Sequence, residues 1–434
     1  MSTSTVDAVT TTITGIRVFD GERLTEHTVV RIADGLIEAV GGPELLQPVD
    51  DHVDGHGGTL LPGFIDAHVH LLPGAGRQAL TFGVTTVLDM FSKPDMLPVA
   101  TAPDAADVRS SSIGATAPGG HPSMMYAPFP TVTSPRDAER FVADRLAEGA
   151  RHLKVFYDDG TGGPMPVPSL DVPTVAALVE AAHGAGLVVA AHVSTARGAV
   201  DLLTTGVDVL AHVPFDALTD SQVEAIAEAG VAVITTLSVA DGFPGDGGAM
   251  PLLTEPALTS RLGSTWSGVV ERQGRRWLPP QLPDFTVPGD NAFRLHRAGV
   301  PLLAGTDAPN PGTVHGASLH RELKRLVGAG IAPAAALTAA TARTADVFGL
   351  RDRGRIRPGL RADLVLVAGR PDEDIAGTQH VTAVWKQGVR AALDSYTGSA
   401  AEQDGLAALR AQTDKVIAAV REMLPPGDHP ATRN

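Results

Sequence analysis

A chain of 434 residues exceeds one average domain, yet suits one large catalytic unit with a smaller accessory part. A formal net charge of −15 excludes the clustered Lys and Arg that phosphate neutralisation needs, so no nucleic-acid partner is expected. With 43% hydrophobic residues the chain reads as globular, and with no Cys both disulfides and thiolate metal ligands are excluded.

In chain order, the opening MSTSTVDAVTTTITG has neither the basic start nor the apolar run of a signal peptide. No apolar stretch of membrane-spanning length follows, so a cytoplasmic protein without a membrane partner is the expectation. Residues 11–60 read as short strands broken by Gly and Asp-Gly turns, in TTITGIRVFDG and HTVVRIADGLIEAVGG.

From Pro62 apolar runs alternate with helical patterns, which is the grammar of βα units. The runs are FIDAHVH (64–70), VTTVLDM (84–90), SSIGATA (111–117), HLKVFY (152–157), LVVAAHV (187–193), VDVLAHV (207–213), VAVITTL (231–237) and VPLLAGTDA (300–308). Helices such as VPTVAALVEAAHGAG and SQVEAIAEAG lie between them, each closed by a Gly suited to a helix C-cap. This alternation predicts an α/β chain of the (β/α)8 TIM-type barrel class.

After the barrel, LHRELKRLVGAG and PAAALTAATARTADVFG read as helices, and RIRPGLRADLVLVAG and VTAVWKQG as strands. The expected organisation is residues 1–61 as one part of a small β-sandwich, 62–350 as the barrel, 351–400 as the other part of the sandwich, and 401–434 as a helical tail. Residues 241–290, rich in Gly and Pro and holding Trp266 and Trp277, read as a long loop that lids the pocket.

The strongest local signal is PGFIDAHVH, in which His68 and His70 stand two apart on a strand and so share one side. His192, His212 and Asp307 end three further strands, where the active sites of parallel barrels lie. Four imidazoles and a carboxylate at corresponding strand ends describe a nitrogen-and-oxygen metal site. The alternative for any one of them is ordinary strand-end packing.

Of the five lysines, at 93, 154, 324, 386 and 415, only Lys154 falls inside a predicted strand of the barrel. Burial beside cations disfavours its charged form, and a neutral amine can take up CO2 to give a carbamate able to bridge two metals. A salt-bridged lysine at the barrel mouth is the other reading. His121 and Tyr157 follow the third and fourth strands as candidates to donate to a substrate carbonyl or its oxyanion. His315 and Arg77, after the eighth and first strands, are candidates for a substrate's distal groups.

With PGFIDAHVH, strand-end Lys154, His192 and His212, GTDAP and the closing RGRIRPGLRADLVLV in view, the chain resembles the amidohydrolase superfamily in its binuclear, carboxylated-lysine subtype. HGASLHRELKRLVGAGIAPAAALTAAT resembles the imidazolonepropionase-like and Xaa-Pro-dipeptidase-like branch. The resemblance implies two divalent ions, zinc first among them. His68, His70 and Asp307 would hold the more buried ion, His192 and His212 the more exposed one, and a CO2-derived carbamate on Lys154 would bridge both. It further implies hydroxide attack on an amide-like bond of a small molecule, with Asp307 carrying the proton to the leaving amine. The same site acting on an organophosphate, carbamate ester or lactone is a second reading, and a non-catalytic scaffold a third. A homo-oligomer is the expected assembly.

Overall fold

The computed structural model describes residues 10–161, 167–243, 250–274 and 284–423. Among these, two sheets bring the chain termini together. Thr11–Thr14, Val29–Ala33, Leu36–Gly41 and Asp51–Asp54 form a four-stranded sheet. The other has five strands, in which Leu364–Val367 pairs antiparallel with both Thr59–Pro62 and Val381–Lys386. Apolar residues alternating along these strands point into one shared core, with Ile13, Val30 and Ile32 from the first sheet meeting Leu60, Leu364, Leu366 and Trp385 from the second. The β-structure predicted at both ends of the chain is therefore observed, joined across more than three hundred residues of sequence.

Between these ends runs an α/β unit whose strands all pair in parallel. We label them β1 (Phe64–Val69), β2 (Val84–Asp89), β3 (Asp107–Ser110), β4 (Leu153–Phe156), β5 (Val189–His192), β6 (Val209–Ala211), β7 (Ala232–Ile234) and β8 (Leu302–Leu303). β1 to β3 form one sheet and β4 to β8 another. Single parallel bridges link them, Ala115 to Val155 on one side and Val69 to Ala308 on the other. Small apolar residues from both sheets, including Ala67, Ala190, Ala211 and Ile234, pack together with Ala345 and Leu350.

The helices begin and end where their sequences provide the means. Asp171 caps Val172–Gly184 by accepting from Thr174 N at 2.9 Å, and Pro173 occupies its first turn, where no backbone donor is needed. Asp220–Ala229 opens on a Thr219/Gln222 capping box and closes on Gly230 at φ 68°.

Three regions depart from the sequence expectation. The third strand covers Asp107–Ser110 rather than 111–117, because Ser112 at φ 56° turns the backbone out of the extended region and leaves only Ala115 in a bridge. The eighth is regular only over Leu302–Leu303, and beyond it the chain is held to β1 by Ala67 N to Ala304 O at 2.9 Å and Asp307 N to His68 O at 2.8 Å. Gly305 makes that approach possible, since a Cβ there would lie 3.0 Å from the His68 backbone nitrogen.

The predicted loop over 241–290 is largely helical where it is described, through Pro251–Thr254, Pro256–Gly274 and the start of Thr286–Arg297. Its apolar spacing buries Leu252, Leu258, Leu262 and Trp266 against Phe82, Val314 and Ala317, so Trp266 is a core residue. Trp277 lies outside the described residues. The predicted tail helix is present as Ala400–Met423, with Glu402 and Leu406 buried. Among the described residues no helix is long and apolar enough to cross a membrane.

Candidate metal centre

β1 and the segment after β8 bring three of the predicted ligands to one point. His68 Nε2 lies 3.4 Å and His70 Nε2 3.1 Å from Asp307 Oδ1, and one ligand atom from each of the three lies within 4.8 Å of the others. His212 Nε2 approaches the other carboxylate oxygen of Asp307 at 3.7 Å. The four predicted histidines are linked ring to ring, with centroids 4.7 Å apart for His68 and His212 and 5.2 Å for His192 and His212.

The tautomer of His70 follows from its second nitrogen. Nδ1 donates to the Phe91 carbonyl at 3.4 Å, which leaves a lone pair on Nε2 facing Asp307. His212 is anchored in the same way, with Nδ1 2.7 Å from Thr236 Oγ1. Burial, reinforced by Lys154, holds His68 well below the ordinary histidine range. His212 is lowered to about 4, chiefly by burial, although Asp307 partly opposes the shift. Neutral imidazoles are the form that ligates a metal.

Asp307 has the opposite tendency. Burial alone would raise its carboxyl, but the neighbouring His70, His212 and Lys154 hold it below the ordinary aspartate value, so it is ionised. Its backbone sits at φ 52°, an uncommon conformation for a non-glycine residue that turns the side chain back toward β1.

Lys154 is fully buried within β4, and burial lowers its ammonium to about 7, with Asp307 only partly offsetting the shift. Among the described residues Nζ has no hydrogen-bond partner, and neither has His68 Nδ1 or Asp307 Oδ1. Leaving such groups unsatisfied in the interior costs about 1–3 kcal/mol each. Ligand atoms that converge without bonding to one another are the donor set a divalent cation fits.

The remaining predicted residues divide. His121 joins the cluster, stacked on His192 with centroids 4.8 Å apart and still exposed to solvent. Tyr157 instead donates through its hydroxyl to Asp201 at 3.0 Å on helix Ala196–Leu202. Arg77 is bound by Asp104, Tyr396 and Glu402, so it ties the helix after β1 to the tail. His315 is buried behind the cluster, where Nε2 donates to the His70 carbonyl at 2.9 Å and the ring meets Trp266 edge-on, so it does not reach toward distal substrate groups.

Sequence reasoning missed the residues that hold the ligands in place. Asp66 accepts from His68 N at 3.2 Å and from Thr306 at 3.0 Å through N and 2.7 Å through Oγ1. Its place inside PGFIDAHVH was the available signal. Thr236 and the Phe91 carbonyl carried none, since their proximity exists only in three dimensions.

The sequence profile described as "Amidohydrolase family" matches residues 59–241 and 287–391, which includes every residue of the cluster. Imidazolonepropionase from Salinispora arenicola is 25% identical over 423 residues, spanning 85% of this chain and 92% of that protein. Among solved structures, a Xaa-Pro dipeptidase with methionine bound in its active site superposes with a TM-score of 0.69 at 21% identity, covering 88% of this chain and 99% of that one. Molinate hydrolase does so with the same TM-score and identity, covering 90% and 96%.

Proposed function

The chain belongs to the amidohydrolase family and is a hydrolase acting on carbon–nitrogen bonds, and on that premise we propose that it cleaves an amide bond of a small molecule at a binuclear metal centre. The observation that carries this reading is the convergence of His68, His70 and Asp307, with the buried amine of Lys154 near enough to act electrostatically on His68 and Asp307. We read the eight parallel strands and their two linking bridges as a (β/α)8 barrel, and the two sheets sharing Ile13 and Trp385 as the accessory β-sandwich.

In this reading His68, His70 and Asp307 would hold one divalent ion and His192 and His212 a second, zinc suiting a site of imidazoles and carboxylate. Lys154, drawn toward its neutral amine by burial, is the group that carboxylation would turn into an anionic bridge. Divalent metal bound there supplies Lewis acidity toward a carbonyl and a hydroxide nucleophile near neutral pH. Asp307, ionised and within reach of His70 and His212, accepts a proton at its carboxylate and delivers it to the leaving nitrogen. His121, exposed beside His192, is placed to donate to the substrate carbonyl oxygen.

The test is a hydrolysis screen of zinc-loaded protein against N-acyl amino acids, Xaa-Pro dipeptides, aryl amides, esters, lactones and phosphotriesters, with elemental analysis alongside. Close to two zinc ions per chain and turnover of an amide are expected. Protein that takes up no metal, or that turns over only the ester or phosphotriester arms, overturns the proposal.

A further inference from the structure

Asp66 lies at the joint between β1 and the segment after β8, fully buried, and touches none of the atoms offered to a metal. Its carboxylate faces only donors. Oδ1 accepts from His68 N and Thr306 N, at 3.2 and 3.0 Å, and Oδ2 accepts from Thr306 Oγ1 at 2.7 Å. The same hydroxyl oxygen accepts from Ala308 N at 3.2 Å, and the His68 carbonyl accepts from Asp307 N at 2.8 Å. The backbone on each side of Asp307 is thus pinned, directly or through Thr306, to the backbone of His68.

A buried carboxyl group is an expensive way to join two strands, since an apolar pair of similar volume would pack there at less cost in desolvation. What it adds is fixed geometry. Asp307 adopts φ 52°, a conformation uncommon in a non-glycine residue, and Thr306 and Ala308 are both held in the network around it. We propose that Asp66 is a positioning residue that, with Thr306, sets the spacing between His68 and Asp307 and so tunes the affinity of their site for a divalent ion. The proposal rests on the metal-centre reading given above.

The test uses full-length protein stripped of metal and titrated with zinc against a chromophoric chelator. Asp66→Asn puts an amide N–H₂ where an oxygen accepts from the Thr306 hydroxyl, and Thr306→Val removes the hydroxyl while keeping shape; each is expected to weaken zinc binding about ten- to hundredfold. Thr306→Ser keeps the hydroxyl and is expected to bind as the wild type does. A role confined to folding would lower the melting temperature of metal-free protein and leave the affinity of the folded fraction unchanged, so melting and circular dichroism are recorded for each variant. Unchanged zinc affinity in Asp66→Asn or Thr306→Val overturns the proposal. Should Asp66→Asn fail to fold, the contrast between Thr306→Val and Thr306→Ser decides. Wild-type protein that binds no zinc would instead refute the metal-centre reading itself.

Discussion

Two buried groups of ionisable side chains in this molecule differ in how their atoms are satisfied. In the first, Asp241 accepts from Arg321 Nε at 2.7 Å and Arg325 Nε at 2.7 Å, while Glu255 is engaged by Arg321, by Lys324 Nζ at 2.9 Å and by Gln379. Each carboxylate meets cations or donors, and the group fastens the segment after β7 to helix Ala317–Gly328. In the second, Lys154 Nζ, His68 Nδ1 and Asp307 Oδ1 are buried without hydrogen-bond partners among the described residues. A saturated knot of charge holds a structure, whereas an unsaturated one spends stability on readiness for a ligand.

The largest expected effect separates coordination from proton transfer within the unsaturated group. Asp307→Asn keeps an oxygen able to coordinate weakly but loses the carboxylate that accepts a proton, so turnover should fall about a hundredfold to ten-thousandfold while much of the metal stays bound. Steady-state rates and elemental analysis on one preparation measure both. A variant turning over near the wild-type rate would make Asp307 a ligand only, with His121 the next candidate to carry the proton.

The contrast sharpens at Lys154. Replacing the partnerless amine with methionine removes a desolvation penalty, so metal-free Lys154→Met should be more stable than metal-free wild type by about 1 kcal/mol while losing metal and activity. Denaturant unfolding of both metal-free proteins reads this directly. A less stable variant would mean that Nζ has an interaction the unsaturated description lacks.

The smallest effect tests the saturated group. Burial alone would raise the Glu255 carboxyl, but Lys324, Arg321 and Gln379 together hold it below the ordinary value of 4.5. A depressed folded-state pKa contributes stability that is present above the unfolded value and is lost as pH falls through the folded one. Wild type should therefore exceed Glu255→Gln by up to about 1 kcal/mol at neutral pH, with the difference shrinking below pH 4.5. Unfolding free energies of the two proteins at pH 7 and pH 3 check it, and a constant difference would break the assignment.

The residues of the cluster were legible because each is marked within its own few residues. His68 lies in β1 and His70 directly after its end, and Lys154, His192, His212 and Asp307 each stand in or just past an apolar run. The substrate contacts were less legible, because a loop residue's partners come from elsewhere in the chain. Tyr157 found Asp201 and Arg77 found Tyr396 and Glu402, pairings that no local pattern announces. The third strand was misplaced because the turn at Ser112 leaves no mark in hydrophobicity.

By itself, then, the sequence determined the alternation of strands and helices, the β-structure at both ends and the residue types offered at the strand ends. These depend on periodicity and side-chain chemistry, which are local properties of the chain. Only the tertiary structure decided which ligand atoms are left free and how they are held. Asp66 reaches Thr306, His70 reaches the Phe91 carbonyl, and Lys154 Nζ finds no hydrogen-bond partner among the described residues. Satisfaction of a buried polar atom depends on everything packed around it, and that neighbourhood is assembled from segments far apart in sequence.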